Sequence, residues 1–245
     1  MGGLHEGHAS LIRLGREHAE QVIASIYVNP LQFGPDEDFA RYPRSLAADL
    51  ELLEQAGATA VFVPDDKLLS IAEQRTFVAP SALAEDLCGR FRPGHFRGVA
   101  TIVLKLLNLV RPDQLVMGKK DLQQLTIVGE MLADFCLDTT LIAAPIVREA
   151  DGLAMSSRNR YLSAAERTQA AELHRALERV ARSPSPQREL SHAQESLSAS
   201  GWRVDYLEIR DLDTLGDPRP GRAQVVLGAA WLGVTRLIDN LEFSA

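Results

Sequence analysis

Residues 22–28 read Val-Ile-Ala-Ser-Ile-Tyr-Val, a short apolar run rich in β-branched side chains. A run of this kind, with little polar alternation, is typical of a strand buried on both faces of a parallel sheet. The preceding residues, about 8–20, carry apolar side chains at helical spacing, with Leu11, Ile12 and Leu14 on one side. A helix followed by a buried strand favours an α/β fold.

Helices and strands alternate along the next hundred residues. Further helices are predicted over residues 45–56, from Ser81, over 96–110 and over 123–137, and further strands over 60–64, near 76–78, over 113–118 and over 139–144. Strictly alternating elements are typical of a parallel sheet covered by helices.

The pattern changes after residue 145. Helices are predicted over 164–182 and from a Ser-Pro break at 183–186 to about residue 200, and strands follow near 204–209, 225–227 and 237–241. Helices followed by consecutive strands are typical of an α+β domain. We therefore predict two domains, a parallel-sheet domain over residues 1–146 and a smaller α+β domain over residues 147–245.

Composition narrows the class of protein. With 245 residues, 46% of them hydrophobic, the chain can bury a large core. The net charge of -7 argues against a surface for nucleic acid. Cys88 and Cys136 fit reduced thiols better than a disulfide framework, and neither a signal peptide nor an apolar run of ~20 residues is present. We expect a cytoplasmic protein that binds neither nucleic acid nor membrane.

The first eight residues, Met-Gly-Gly-Leu-His-Glu-Gly-His, place two imidazoles three positions apart at the start of the first predicted helix. The first N–H groups of a helix attract anions, and glycines let a phosphate approach the backbone. His5 and His8 would then face the same phosphate. Two histidines at helical spacing are also typical of surface side chains, and zinc is a further alternative, since imidazoles at this spacing can share a metal. The separated cysteines supply no paired ligands for it, and no protein metal site is predicted.

Two other stretches fit a phosphate. Residues 118–121, Gly-Lys-Lys-Asp, form a predicted strand-to-helix turn that offers backbone N–H groups and a cation. Residues 155–160, Met-Ser-Ser-Arg-Asn-Arg, offer hydroxyls and a guanidinium. Each alone also fits a solvated turn or a helix cap. Gln123 and Gln124 follow the lysine turn, and only one of them should face a cleft.

Together these motifs resemble the nucleotidylyl transferase superfamily, and the chain is identified as a member of the pantothenate synthetase (pantoate–β-alanine ligase) family. The resemblance covers essentially the whole chain. It is carried by residues 1–8, 28–34, 42–44, 92–99, 118–125, 147–149 and 156–162, and by 206–208 and 235–240 in the smaller domain.

The resemblance implies a Rossmann-like first domain and a C-terminal lid domain. It implies a ligase that joins pantoate to β-alanine through a pantoyl adenylate, consuming ATP and releasing AMP and pyrophosphate, with Mg²⁺ held mainly by the ATP phosphates. It also implies a homodimer. Members of the family carry a strand before the first methionine of the motif, so the sheet is expected to lack its usual first strand unless the native chain begins upstream.

The resemblance also implies roles for individual residues. The proposed catalytic residues are His8 as proton donor, His5 as phosphate ligand, Lys120 and Arg158. The ATP site would comprise Met1, Gly2, Gly3, Leu4, His5, Glu6, Gly7, His8, Gly118, Lys119, Lys120, Asp121, Val147, Met155, Ser156, Ser157 and Arg158. Gln32 and Gln124 would bind pantoate, and Gln32 also β-alanine.

Some positions depart from the family pattern. Lys119 and Leu122 make the nucleotide turn more basic and less aromatic than is usual. Asp49 lies near a position where some relatives have a carboxylate, and a solvated helix face is the favoured interpretation. Two other functions stay open, an inactive nucleotide-binding homologue and an adenylyltransferase that acts on another carboxylate or nucleotide.

Overall fold

The computed structural model describes residues 1–244. The chain divides into two compact units. Unit 1 comprises residues 1–119 and 123–145, and unit 2 comprises residues 120–122 together with the chain from Ile146 onward. The predicted domain boundary at residues 146 and 147 stays a prediction.

Unit 1 combines helices with parallel strands. Its elements are α1 (Glu6–His18), β1 (Ile23–Ser25), α2 (Leu46–Ala56), β2 (Ala60–Phe62), α3 (Cys88–Phe91), α4 (His95–Val110), β3 (Gln114–Gly118), α5 (Leu122–Asp134, whose first residue belongs to unit 2) and β4 (Thr140–Ala144).

The strands of unit 1 form two parallel pairs. β1 lies beside β2 with Ala24 opposite Val61, and β3 lies beside β4 with Val116 opposite Ile142. Within residues 1–244 these are separate two-stranded sheets. The α/β class with parallel strands is confirmed. The prediction that the 22–28 run is buried on both faces is wrong at Ile23, which is 47% exposed.

Two apolar clusters hold the helices of unit 1 in place. Ala9 and Ile12 of α1 pack with Leu53 and Ala56 of α2. A second cluster joins the apolar sides of α4 and α5 to β3 and β4, through Ala100, Leu107, Val128, Met131, Leu115, Met117 and Leu141. Each large aliphatic side chain buried in this way contributes about 1.5–3 kcal/mol. α1 packs in the first cluster and α5 in the second, and the candidate phosphate turns lie at the N-terminal ends of these two helices.

Two helices have the predicted boundaries. α2 ends at Ala56, and its C-terminal cap, Gly57, adopts the left-handed conformation with φ 94°, as expected of a glycine that terminates a helix. α4 ends at Val110, and its C-terminal cap, Arg111, directly precedes Pro112.

Three predicted elements differ from the structure. The strand near residues 76–78 is wrong, because the backbone N–H of Val78 donates to the Thr101 hydroxyl at 3.0 Å instead of to a sheet. The helix from Ser81 is a 3₁₀ turn over Ala82–Glu85, followed by α3 after Leu87, whose φ is 46°. The helix over 164–182 is broken at Ala170.

Unit 2 contains the smaller sheet. Its elements are α6 (Ala164–Gln169), α7 (Glu172–Arg182), α8 (Pro186–Ala199), β5 (Arg203–Asp211), β6 (Ala223–Leu232) and β7 (Thr235–Ser244). The three strands are antiparallel in the order β5-β6-β7. Leu173, Leu177 and Val180 of α7 pack against the sheet. The α+β pattern predicted for this region is confirmed.

In the part of the chain that the structure describes, none of the helices has both the length and the apolar character required to span a bilayer.

Candidate active site

The two histidines of the first turn close the N-terminus of α1. The backbone N–H of Gly7 donates to Nδ1 of His5 at 3.1 Å, and the backbone N–H of His5 donates to Nδ1 of His8 at 3.2 Å. Since each Nδ1 accepts, the proton of each neutral ring is carried by Nε2. The ring centroids lie 4.1 Å apart. The turn therefore offers two Nε2–H donors beside the positive end of a helix, an arrangement suited to a phosphate.

Asp49 of α2 anchors this turn. Its Oδ2 accepts from the backbone N–H of Gly3 at 2.9 Å, and its Oδ1 accepts from that of Leu4 at 2.7 Å. The residue is 3% exposed, so the interpretation as a solvated helix face is wrong. Its partners lie 45 and 46 residues away, so the local helical pattern does not reveal them.

Gly2 and Gly3, which precede the histidines, allow the backbone of this segment to lie close to Pro43. Gly2 and Gly3 have φ angles of 117° and 61°, which side chains other than glycine rarely adopt. A Cβ on Gly3 would lie 2.6 Å from Cβ of Pro43. The segment therefore packs against Pro43 and is hydrogen-bonded to Asp49.

Glu6, an expected ATP-binding residue, is exposed and ion-paired. Its carboxylate accepts from both terminal nitrogens of Arg13. The hydrogen bond from Arg13 holds the pKa of the Glu6 carboxyl below its usual range. The Arg13 guanidinium thus balances a negative charge that would otherwise oppose an anion at this helix terminus.

Gln32 follows β1 in a tight turn, and its amide is oriented by Asn29. Nδ2 of Asn29 donates to Oε1 of Gln32 at 3.0 Å and to the carbonyl of Gly98 at 3.2 Å. Asn29 is 1% exposed, and its own Oδ1 accepts from the backbone N–H of Leu31. Because the amide oxygen of Gln32 is occupied by a donor, the amide NH₂ is the group left to meet a substrate oxygen.

A charged network supports the backbone of the same turn. Arg92 donates two hydrogen bonds of 2.7 Å to the carboxylate of Glu37, and its Nη1 lies 3.0 Å from Nε2 of His95. Arginine only donates, so Nε2 of His95 is an acceptor and its Nδ1–H donates to the carbonyl of Gln32 at 2.8 Å. Residues 92–99 belong to a family motif, but sequence reasoning assigns them no individual role.

The two glutamines of α5 have different environments. Gln123 is 4% exposed, accepts the backbone N–H of Cys88 and donates to the carbonyls of Leu83 and Asp86. Gln124 is partly exposed, and its amide forms no hydrogen bond within residues 1–244. A fully bonded Gln123 supports the 82–91 segment, which leaves Gln124 as the glutamine available to a ligand.

The lysine turn follows β3 as a 3₁₀ turn over residues 119–121. Gly118 ends β3 opposite Ala144. In unit 2, the carbonyl of Lys120 accepts from Nδ2 of Asn240 at 3.1 Å. Within residues 1–244 the Lys120 ammonium has no ion-pair partner, and Asp121 is exposed. Among the residues that the structure describes, neither the Lys120 ammonium nor the Asp121 carboxylate is paired with an opposite charge.

The serine loop is folded back on Val147. The backbone N–H of Met155 donates to the carbonyl of Val147 at 3.0 Å. Ser156 caps the following 3₁₀ turn, Ser157–Tyr161, by accepting the N–H of Arg158 at 3.3 Å. Unit 2 therefore brings the expected adenine contact and the expected phosphate loop together.

Within each unit the predicted ligands cluster only in part. In unit 1, direct hydrogen bonds join His5 to His8, and Asn29 joins Gln32 to α4. In unit 2, they join Met155 to Val147. Among residues 1–244, no group of three or more His, Cys, Asp or Glu side chains could hold a metal ion.

The chain is similar to known proteins over its whole length. The model of the Pantoate-beta-alanine ligase family matches residues 1–242. A pantothenate synthetase from Thiobacillus denitrificans is 54% identical over 252 residues, which cover 100% of this chain and 89% of that protein.

Solved structures give the same result. The crystal structure of pantothenate synthetase from Thermus thermophilus superposes with a TM-score of 0.92 at 41% identity, covering 100% of this chain and 91% of that chain. That of pantoate-beta-alanine ligase from Francisella tularensis, complexed with beta-gamma ATP and beta-alanine, has a TM-score of 0.85 at 31% identity, covering 98% and 86%. The resemblance predicted from the motifs is confirmed, and this chain belongs to the pantoate-beta-alanine ligase family.

Proposed function

We propose that this chain is an ATP-dependent ligase that joins pantoate and β-alanine to form pantothenate, releasing AMP and pyrophosphate. Membership of the family supports the reaction, and the Francisella enzyme, which was crystallised as a complex with beta-gamma ATP and beta-alanine, supports ATP and β-alanine as ligands. The observation that carries the proposal is that Nδ1 of both His5 and His8 accepts a backbone N–H at the N-terminus of α1, which assigns the proton of each neutral ring to Nε2.

In the first step, a carboxylate oxygen of pantoate attacks the α-phosphorus of ATP. An O–P bond forms to give pantoyl adenylate, and the bond to the pyrophosphate oxygen breaks. Negative charge grows on the α-phosphate and on the leaving group, where fixed donors stabilise the transition state most. His5, His8, Lys120 and Arg158 are the proposed donors.

We propose that His8 donates a hydrogen bond to the phosphate and does not transfer a proton to it. Its Nδ1 already accepts the N–H of His5. A ring that transfers the Nε2 proton must first gain a proton at Nδ1, and that proton would break this bond. A neutral, oriented Nε2–H is sufficient for stabilising charge on phosphate.

In the second step, the amine of β-alanine attacks the acyl carbon of the adenylate, the amide bond forms, and AMP leaves as the amine loses a proton. We propose that Gln32 and Gln124 hold pantoate and that Gln32 also contacts β-alanine. The amide NH₂ of Gln32 suits the carboxylate and hydroxyl oxygens of these substrates. Fixing the reacting groups in line supplies much of the remaining acceleration.

The proposed nucleotide ligands extend beyond the catalytic groups. They are Met1, Gly2, Gly3, Leu4, Glu6, Gly7, Gly118, Lys119, Asp121, Val147, Met155, Ser156 and Ser157. Residues 1–146 and 147–245 are the proposed domains.

Mg²⁺ is proposed as the companion of ATP. Residues 1–244 contain no carboxylate cluster for a metal, and both oxygens of Asp49 are occupied by backbone N–H groups. We therefore propose that the ion is held by the nucleotide phosphates, whose charge it neutralises. A cytoplasmic homodimer is proposed on the family resemblance, and analytical ultracentrifugation measures its mass.

The experiment that tests the function is pyrophosphate release by the purified protein with ATP and Mg²⁺. Release that requires pantoate, with pantothenate and AMP formed after β-alanine is added, is the expected result. His8→Ala should reduce turnover by about 100-fold or more, as for loss of one transition-state donor. Binding of ATP without turnover would instead indicate an inactive homologue, and release with a different carboxylate would indicate another adenylyltransferase.

A further inference from the structure

An ion pair between a buried carboxylate and an arginine joins β7 to the segment after β4 in unit 2. Both terminal nitrogens of Arg148 donate to the carboxylate of Asp239, at 2.7 and 2.9 Å. The side chain of Asp239 is only 3% exposed. Its Oδ1 also accepts the backbone N–H of Asn240 at 2.8 Å, and Nδ1 of His174 lies 3.2 Å from its Oδ2 without a hydrogen bond. A bidentate, buried pair of this kind fixes orientation.

The next residue on β7 reaches the lysine turn. Nδ2 of Asn240 donates to the backbone carbonyl of Lys120 at 3.1 Å, across 120 positions of sequence. Asn240 is 3% exposed. The conformation of the Lys120 backbone is thus tied to β7 by a buried amide, and the direction of the Lys120 side chain depends on that backbone.

The same ion pair supports the serine loop. Nη1 of Arg148 donates to the carbonyl of Gly152 at 3.0 Å, and Arg148 forms an isolated antiparallel bridge with Ala154. Met155 follows directly and is bonded to Val147. One buried carboxylate therefore orients the arginine that shapes the approach to residues 155–158.

We propose that Asp239 and Asn240 are positioning residues of the nucleotide site, Asn240 acting through Lys120 and Asp239 acting through Arg148 on the serine loop. The inference rests on the proposed role of these two segments in binding ATP. Neither residue needs to touch the nucleotide. Asn240 acts through the backbone carbonyl of Lys120 and Asp239 through the guanidinium of Arg148. These two groups connect β7 to the lysine turn and to the serine loop.

The sheet contains a matched control. Asp205 of β5 has a side chain that is also 3% exposed, and it accepts from Nε of Arg236 at 2.8 Å and from Nε1 of Trp231. Like Asp239, it is a buried carboxylate paired with an arginine. Unlike the arginine that pairs with Asp239, both of its partners lie within the sheet. Asp205→Asn should lower the stability of the protein as Asp239→Asn does, but it should leave the Kd for ATP unchanged.

The test measures the Kd for ATP by calorimetry, and KM for ATP and for β-alanine, in Asn240→Ala, Asn240→Asp, Asp239→Asn and Asp205→Asn. Asn240→Asp keeps the size of the side chain but removes the donor, so it replaces the alanine variant if that variant does not fold. Loss of one buried hydrogen bond that orients a ligand should raise the Kd for ATP about tenfold. KM for β-alanine should stay within about twofold.

A double-mutant cycle separates positioning from general stability. If Asn240 acts through Lys120, Asn240→Ala should weaken ATP binding about tenfold in the wild type but less than about twofold in a Lys120→Ala background. Equal effects in both backgrounds, an unchanged Kd, or an equal rise in Asp205→Asn would overturn the inference. A wild-type protein that binds ATP without ligating pantoate would refute the proposed function and leave this test intact.

Discussion

Oδ1 of Asp49 accepts the backbone N–H of Leu4 at 2.7 Å, the residue directly before His5. With the second bond to Gly3, one buried carboxylate of α2 fixes the segment that leads into α1. Because the histidine rings are bonded to backbone N–H groups of the residues that follow directly, we expect their positions to depend on Asp49.

Replacing Asp49 by Ala should reduce both stability and turnover. It leaves two backbone N–H groups without their charged acceptor, and we expect the free energy of unfolding to fall by about 3 kcal/mol. Displacement of the histidines should lower kcat by about 100-fold. Urea unfolding and pyrophosphate release measure the two effects.

Glu54 supplies the control for this change. It lies on the exposed side of α2, where removal of a carboxylate reaches no backbone donor of the turn. Glu54→Ala should keep wild-type kcat. If Asp49→Ala also keeps it, the histidines are positioned without Asp49.

Gln32→Glu tests which end of the amide meets the substrate. Asn29 can still donate to one oxygen, so the fold should persist, but the donor is replaced by a carboxylate that repels the carboxylate of pantoate. We expect KM for pantoate to rise about 10- to 100-fold and the Kd for ATP to stay unchanged. Gln55→Glu on the exposed side of α2 is the matched control. An unchanged KM for pantoate would contradict the proposed orientation.

Gly98→Ala tests the support of the Gln32 turn. A Cβ at residue 98 would lie 2.0 Å from the carbonyl oxygen of Leu31, so the turn or α4 must move. Overpacking of this kind costs about 1–3 kcal/mol, and KM for pantoate should rise with it. Thermal unfolding and steady-state kinetics measure the change.

Gly129 is the matched helical glycine of α5. A Cβ there meets only Cδ2 of Leu141 at 3.4 Å. Gly129→Ala should leave activity intact and stabilise the helix by up to about 1 kcal/mol. Loss of activity in both variants would show that the approach of α4 to Leu31 is not the cause.

Local patterns are sufficient for the class of the fold and for most elements. Apolar periodicity predicts α2, α4 and the strands β3 and β4 to within a few residues, because each of these elements buries one side against a cluster. The strand near Val78 is wrong because its hydrogen-bond partner is a threonine hydroxyl on α4. A contact with a side chain that is distant in sequence produces no periodic pattern of apolar residues.

The same limit applies to the site. The motif histidines, the lysine turn and the serine loop are predicted because the spacing and chemistry of each are local. Asp49, Asn29 and Asn240 are assigned no individual role from sequence, because each bonds at least one backbone group that is distant in sequence and brought near by the fold. The motif at residues 235–240 does contain Asn240, but only the folded chain connects it to Lys120.

Asp211 makes part of the stability depend on pH. Its Oδ1 accepts from the Thr214 hydroxyl at 2.9 Å and from the backbone N–H groups of Thr214 and Asp213. The Thr214 hydroxyl is the main cause that holds the pKa of the Asp211 carboxyl below its usual range. A lowered folded pKa stabilises the protein above the unfolded pKa of about 4, and this contribution is lost as pH falls through the folded pKa.

Asp211→Asn should therefore unfold at lower urea concentration than the wild type at pH 7. The difference between the two proteins should narrow as the pH is lowered below about 4, because the wild-type carboxyl is then protonated. Asp217→Asn, an exposed change in the same turn, should show no such convergence. A difference that is constant from neutral to acid pH would exclude the charged form of Asp211 as its source.

The tautomers of His5 and His8 can be observed directly. Both Nδ1 atoms accept backbone N–H groups, so ¹⁵N spectra recorded at about pH 8, where free imidazole is neutral, should show Nε2 protonated and Nδ1 unprotonated in His5 and His8. His18, at the C-terminal end of α1, has no such backbone donor within residues 1–244 and should show a mixture. If the Nδ1–H form dominates in His8, the ring cannot present Nε2–H to a phosphate. Hydrogen-bond donation from His8 would then have to be abandoned as the source of its effect on turnover.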